Sequence, residues 1–235
     1  MLETQLTRRN MIRSAEKISA DMNLRVDRDR ALRLTPVSAE TAKRLDALVA
    51  LLLQWQAKIN LVAPSTIEDI WTRHIADSLQ LVGLEPKAKI WIDLGSGAGF
   101  PGLVVACALA DEKDACVHLV ESNGKKAAFL REAVRVLEVP AVVHARRIED
   151  FVAGFSDRAD VVTARALAPL GELLDLAAPL LKTGAKGLFL KGQDVEAELT
   201  EASKCWTINS TLVPSKTNQH GRIVVIQSAI KRAKQ

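Results

Sequence analysis

Apolar residues first take up helical spacing at Leu45, Leu48, Val49, Leu52 and Leu53, with Trp55 and Ile59 continuing the stripe. This predicts an amphipathic helix opening after Ser38. Before it, residues 1–36 alternate in charge sign, show little apolar periodicity and end at Pro36, and are expected to form a mobile or loosely helical basic extension. After Pro64, Ser65-Thr-Ile-Glu68 has the spacing of a capping box, in which a serine and a glutamate satisfy free backbone N–H groups, and predicts a helix to about Val82. From Lys89 onward short apolar runs alternate with helical stretches, the pattern of βαβ units. Strands are predicted over Ile90–Leu94, Cys116–Val120, Ala141–Ala145, Val161–Ala164, Gly187–Leu190, Ile208–Val213 and Ile223–Gln227. Helices are predicted over Gly102–Ala110, Lys125–Leu137, Leu170–Leu181 and Val195–Ser203. The expected fold is α/β, a doubly wound, mostly parallel sheet of seven strands with a helical N-terminal cap, divided into the extension 1–36, the cap 37–84 and the main domain 85–235.

Composition narrows the class. With 48% hydrophobic and 26% charged residues in 235, the chain has enough apolar surface for one sizeable core and is too apolar for disorder. Cys107, Cys116 and Cys205 are widely spaced and belong to no C-x-x-C or Cys/His cluster, so neither a disulfide framework nor a metal site is expected. The first residues carry charges where a signal peptide needs an apolar run, and no stretch is long and apolar enough for a membrane span. A cytoplasmic protein without membrane association is the expectation. A net charge of +4 permits a polyanionic partner, and the tail IKRAKQ and the basic N-terminal segment are compatible with RNA.

The candidate chemistry sits between the first predicted strand and its helix. Gly97-Ala-Gly99-Phe-Pro-Gly102 is a G-x-G-x-x-G loop, a pattern shared with dinucleotide sites. Asp93, just ahead of the glycines, separates the two possibilities. A carboxylate there repels a pyrophosphate but suits S-adenosylmethionine, which has no phosphate and carries an ammonium and a sulfonium. Glu121 after the second strand stands where an acid accepts hydrogen bonds from ribose hydroxyls, whichever cofactor is bound. In Arg146-Arg-Ile-Glu-Asp150, Ile148 is placed to pack on adenine and Glu149 or Asp150 to reach its amino group.

Around the loop stand Asn60-Leu-Val, Arg73-His-Ile-Ala-Asp77-Ser78, Glu121-Ser122 with Gly124-Lys-Lys126, Arg147-Ile-Glu149, Arg165-Ala166 and Leu190-Lys-Gly192. In this order and over roughly residues 40–228, the chain resembles the bacterial glucose-inhibited division protein B family, which methylates N7 of a guanine in 16S ribosomal RNA. The acid at Glu121 replaces a common aspartate, and Ala98-Gly-Phe100 replaces Pro-Gly-Leu or similar; both keep the chemistry. The resemblance implies an S-adenosylmethionine-dependent enzyme acting on 16S ribosomal RNA or the small ribosomal subunit, and a monomer is expected. It implies cofactor contacts at Gly95, Phe100, Ile148, Glu149 and Arg165, beside Asp93, Gly97 and Glu121, with Gly99 and Ser122 in the same motifs.

Guanine N7 offers a lone pair and no proton, so its methylation needs alignment and no general base, and no catalytic acid or base is assigned. The chain has no tyrosine and no Asn-Pro for an exocyclic-amine methylase, and no cysteine beside proline for a pyrimidine C5 methylase. Arg165 is expected to line the pocket and position guanine. With the resemblance, Arg73 and His74 are expected to lie over the cofactor mouth and touch RNA, and Lys191 and Lys125 to join a basic rim with Lys126, Arg146 and Arg147. The rival readings are a dinucleotide-dependent oxidoreductase and a non-catalytic RNA-binding assembly factor.

Overall fold

A computed structural model describes residues 21–233. Helix α1 spans residues 21–34 and is followed by α2 (Ala39–Gln56), a 3-10 turn (Pro64–Thr66), a π-helical turn (Trp71–Ala76) and α3 (Asp77–Leu84). The alternating part then runs β1 (Ile90–Leu94), α4 (Gly102–Ala108), β2 (Cys116–Val120), α5 (Gly124–Leu137), β3 (Ala141–His144), α6 (Ile148–Gly154), β4 (Val161–Arg165), α7 (Leu170–Lys182), β5 (Lys186–Lys191), α8 (Val195–Ala202), β6 (Trp206–Pro214) and β7 (Arg222–Lys231). All seven predicted strands are present.

The sheet order is β3-β2-β1-β4-β5-β7-β6, with β1 to β5 parallel and β7 antiparallel to both neighbours. Strand order therefore reverses between β1 and β4, and their carboxyl ends at Leu94 and Arg165 flank the crevice where ligands bind in such sheets. The pleat sends alternate residues to opposite faces. Trp91 joins a core built with α2, α4 and α5 (Leu45, Leu52, Val104, Phe129), while Ile92 and Leu94 join a core built with α6, α7 and α8 (Phe151, Leu173, Val195). Asp93 consequently points to the Trp91 side, under α4.

Two expectations change. Residues 1–20 lie outside the described residues, but 21–34, expected within a mobile or loosely helical extension, are a packed helix whose Ala31 is fully buried and whose Asp27 is 7% exposed. The predicted capping box does not start the next helix either. Thr66 closes a single turn onto the Ala63 carbonyl, and the helical segment begins only at Trp71. Its cap comes from far upstream: the Asp27 carboxylate accepts from the Trp71 N–H (2.8 Å), the Thr72 N–H (3.2 Å) and the Thr72 hydroxyl. A carboxylate at the start of a helical segment satisfies its free donors and complements its dipole. No local motif reports a partner 44 residues away. Helix α6 was also not predicted, because its seven residues offer only Phe151 and Val152 as a buried pair, too few for a periodicity to show.

Replacing Asp27 by alanine strands three buried donors, and the expected outcome is a loss of about 2–4 kcal/mol in stability, since each charge-assisted bond contributes roughly 1.5–3 kcal/mol and the effects overlap. Urea denaturation with an unchanged midpoint would show that α1 is not anchored in this way.

Candidate active site

The glycine turn after β1 is shaped from beneath and from the side. Gly95 has φ +69°, and a Cβ there would meet Leu167 Cδ1 at 2.7 Å. At Gly102 a Cβ would fall 2.3 Å from Leu119 Cδ2 and 2.6 Å from Asp93 Oδ2, so only glycine lets α4 start this close to the sheet. Asp93 is 1% exposed; Oδ2 accepts from the Gly102 N–H (3.1 Å) and Oδ1 from the Thr163 hydroxyl (2.9 Å). Burial raises its pKa to about 6, against the pull of those hydrogen bonds. Asp93 thus secures the loop from below and does not line the cavity above it.

Glu121, 9% exposed, works on the other side of the turn. Its Oε2 accepts from the Gly97 N–H (2.9 Å) and its Oε1 from the Asn123 N–H (2.7 Å). Each carboxylate oxygen keeps a second lone-pair direction, so the acid can brace the loop and still accept from ribose hydroxyls.

Two cavities open at the carboxyl ends of the strands. The first, of about 560 Å³, lies over the glycine turn and is lined by Gly95, Gly97, Glu121, Ser122, Ile148 and Glu149 together with Lys126, Arg147, Glu172 and Asp175. Its walls hold four acids against two bases. The second, of about 1110 Å³, is lined by Arg30, Arg73, Arg165, Lys191, Lys216 and Arg222, against Asp69, Asp77 and Glu198. Here six bases face three acids. Ala166, Leu167 and Ala168 line both and form the partition between them.

The partition is held at both ends. The Lys191 side chain is only 9% exposed, and its Nζ donates to the Ala168 carbonyl (2.6 Å) and to Glu198 (2.7 Å), while Glu198 also accepts from the Leu170 N–H (2.6 Å). Lys191 is therefore occupied in fixing the partition, where a free rim lysine was expected. At the other end Arg165 donates to His74 Nδ1 (2.8 Å) and to the Arg73 carbonyl (3.0 Å), with Asp77 3.8 Å away. Burial draws its pKa down and Asp77 draws it up, and the guanidinium stays charged.

His74 is 8% exposed and stacks on Phe100, with ring centroids 4.8 Å apart and planes 24° apart. Because Arg165 has only donors, Nδ1 must be the lone-pair nitrogen, and Nε2–H then donates to Thr66 Oγ1 (3.0 Å). Burial, reinforced by Arg165 and Arg73, pushes its pKa down from 6.5 to about 3. His74 and Phe100 thus lie beneath the surface and support Arg165 and the glycine turn; neither lines a cavity.

Of the predicted site residues, Gly95, Gly97, Glu121, Ser122, Ile148 and Glu149 meet around one cavity, while Arg73, Arg165 and Lys191 meet around the other. Asp93, Gly99, Phe100 and His74 are buried supports, and Lys125 is exposed outside both cavities, its neighbour Lys126 taking the cavity position. Glu172 and Asp175 were not anticipated. Their three-residue spacing at the start of α7, the helix following Arg165, was the available signal that both share one helix face.

The family model described as rRNA small subunit methyltransferase G matches residues 41–224. The chain belongs to that family. It is 59% identical over 215 residues to the ribosomal RNA small subunit methyltransferase G of Bradyrhizobium sp. strain BTAi1, covering 92% of this chain and 97% of that protein. The protein of the same name from Nitrobacter winogradskyi is 63% identical over 197 residues, 84% of this chain and 71% of that one. A putative O-methyltransferase from Klebsiella pneumoniae superposes with a TM-score of 0.56 at 13% identity, over 89% of this chain and 99% of that chain, which speaks for the fold alone. The seven-stranded architecture predicted from the alternating pattern is the one this member of the family adopts.

The depressed pKa of His74 fixes a sign for acid stability. Between pH about 3 and 6.5 the unfolded chain binds a proton that the folded protein excludes. The contribution of a neutral His74 is complete above about 6.5 and is lost as pH falls toward about 3. Urea midpoints at pH 7 and pH 4.5 should converge in a His74→Gln variant relative to the parent; an unaltered pH dependence would contradict this assignment.

Proposed function

We propose that the protein transfers the methyl group of S-adenosylmethionine to N7 of a guanine in 16S ribosomal RNA of the small ribosomal subunit. One observation carries this reading: two cavities of opposite charge share the Ala166–Ala168 partition at the sheet's switch point. The acidic cavity suits an adenosine ligand with cationic groups. The basic one suits a polyanion.

The fit to the cofactor is tested by the donor set. Glu121 retains acceptor capacity for ribose hydroxyls, Ile148 offers an apolar face for adenine beside Glu149, and Glu172 supplies negative charge, with Asp175 beside it paired to Lys231, and no buried cation among the described residues lines the cavity to hold a pyrophosphate. When bound, the cofactor supplies an electrophilic methyl on a sulfonium. The protein's own share is geometric and electrostatic. Arg165, locked by His74 and the Arg73 carbonyl, stands at the partition on the substrate side, where its planar donors can hold a phosphate or the base's carbonyl edge. Fixing two reactants across a rigid partition is the main source of rate enhancement for a nucleophile that loses no proton. A ribosomal substrate places the reaction in the cytoplasm. A dinucleotide oxidoreductase fits less well, because four acids around the loop repel a pyrophosphate.

Incubation of the enzyme and labelled cofactor with 16S ribosomal RNA, and with small subunits from a strain lacking the activity, should place one methyl at N7 of a guanine. Cleavage chemistry specific for 7-methylguanine maps it, and the absence of that base from every substrate would overturn the proposal. Glu121→Ala should weaken S-adenosylhomocysteine binding about 10- to 100-fold, from the loss of hydrogen bonds to a charged acceptor. Calorimetry showing affinity for NAD in preference would favour the oxidoreductase.

A further inference from the structure

The substrate cavity, at about 1110 Å³, exceeds what one flipped base needs, and its cations are of two kinds. Arg165 and Lys191 at the partition each have a carboxylate within 4 Å. Arg30, Arg73, Lys216 and Arg222 take part in none of the ion pairs among the described residues, and all but Arg222 are exposed. They come from three distant segments: α1, the π-helical turn, and the hairpin joining β6 to β7. We propose that α1 and the β6–β7 hairpin grip the RNA backbone on either side of the target nucleotide, Arg30 and Lys216 neutralising flanking phosphates. This rests on the RNA-methylating function proposed above and adds the surface that holds the strand.

Both elements are fastened before any RNA arrives. Asp27 ties α1 to Trp71 and Thr72, and Arg28 on the same helix lies over the Trp71 ring, 5.3 Å from its centroid, while pairing with Asp46 at 2.6 Å. The hairpin is tied five residues beyond Thr72 along the same segment. Asp77 Oδ1 accepts from the Ser215 hydroxyl (3.2 Å) and the Thr217 hydroxyl (2.8 Å), and the Lys216 N–H donates to Gln80 Oε1 (3.0 Å). These bonds fix the backbone at Lys216 and leave its amine in solvent. Arg30 is likewise exposed, one turn of α1 beyond its buried anchor Asp27. Because the backbone that carries these cations is already fixed, no segment has to be ordered to present them to phosphate, which favours a positioned contact over a diffuse one. Against them at the rim stands Asp69. Helix α1 lies outside residues 41–224, so the match to the family does not by itself assign it a part in the cleft.

The test uses the full-length protein with Arg30→Gln, Lys216→Gln and the double variant, and Lys204→Gln as a control that removes one charge from an exposed helix end outside the cleft. Equilibrium binding to 16S ribosomal RNA is measured across a salt series, with S-adenosylhomocysteine affinity and methyl transfer in parallel. Each single variant should weaken RNA binding about 3- to 10-fold at low salt, and the double variant should lower the slope of log K against log salt by roughly 1.4–1.8, one phosphate contact being about 0.7–0.9. Lys204→Gln should not change the slope, and cofactor affinity should be the same in all four. Variants that bind RNA with the parent's affinity and slope, while the parent methylates it, overturn the grip and leave the function standing. A parent that neither binds nor methylates ribosomal RNA overturns the function and the grip with it.

Discussion

The buried contact between Arg165 and His74 joins the two halves of the molecule. Arg165 ends β4 and His74 lies in the π-helical turn, 91 residues earlier, and their 2.8 Å hydrogen bond requires a neutral imidazole with its proton on Nε2. Burial enforces that state, and Phe100 stacked on the ring carries the constraint to the glycine turn. Around this contact the segment from Trp71 to Asp77 meets α1 through Asp27, β4 through Arg165, and the β6–β7 hairpin through Asp77. A π-helical turn is a costly geometry that recurs at functional sites, and here it lets consecutive residues reach partners in different directions.

What this frame supports is a thin partition with unlike sides. Ala166, Leu167 and Ala168 carry no charge, so the character of each cavity comes from the surrounding walls: Glu121, Glu149, Glu172 and Asp175 on one side, Arg30, Arg73, Lys216 and Arg222 on the other. Lys191 and Glu198 spend their charges on each other and on the partition's backbone. Ala166 itself has φ +49°, a left-handed conformation costly for a residue with a Cβ and found mostly where surrounding structure imposes it at functional sites. Its neighbours supply that imposition, Arg165 held by His74 on one side and Ala168 by Lys191 on the other.

Much of the site was legible in the sequence, for identifiable reasons. Gly95, Gly97, Glu121, Ile148 and Glu149 sit at fixed distances from strand ends, and parallel strands in register carry all such positions to one edge. Arg165 and Lys191 follow from the same rule. Asp93 is instructive in the other direction. Its place before the glycines was evident, but the pleat points it under α4, and the acids that line the cavity from α7 are Glu172 and Asp175, the latter paired with Lys231.

The sequence by itself determined the alternation of strands and helices, the glycine turn and the family, because all of these rest on apolar periodicity or on short contiguous motifs. Only the tertiary structure decided that Asp27 caps a helical segment 44 residues away, that residues 21–34 are a packed helix, that Lys191 is spent on the partition, and that the two cavities differ in sign. Each of those depends on which polar groups meet across long separations, as Thr217 meets Asp77 across 140 residues. Periodicity records that a side chain is buried or exposed. It does not record what a buried carboxylate or guanidinium finds there, and that pairing fixes both the geometry of the site and its charge.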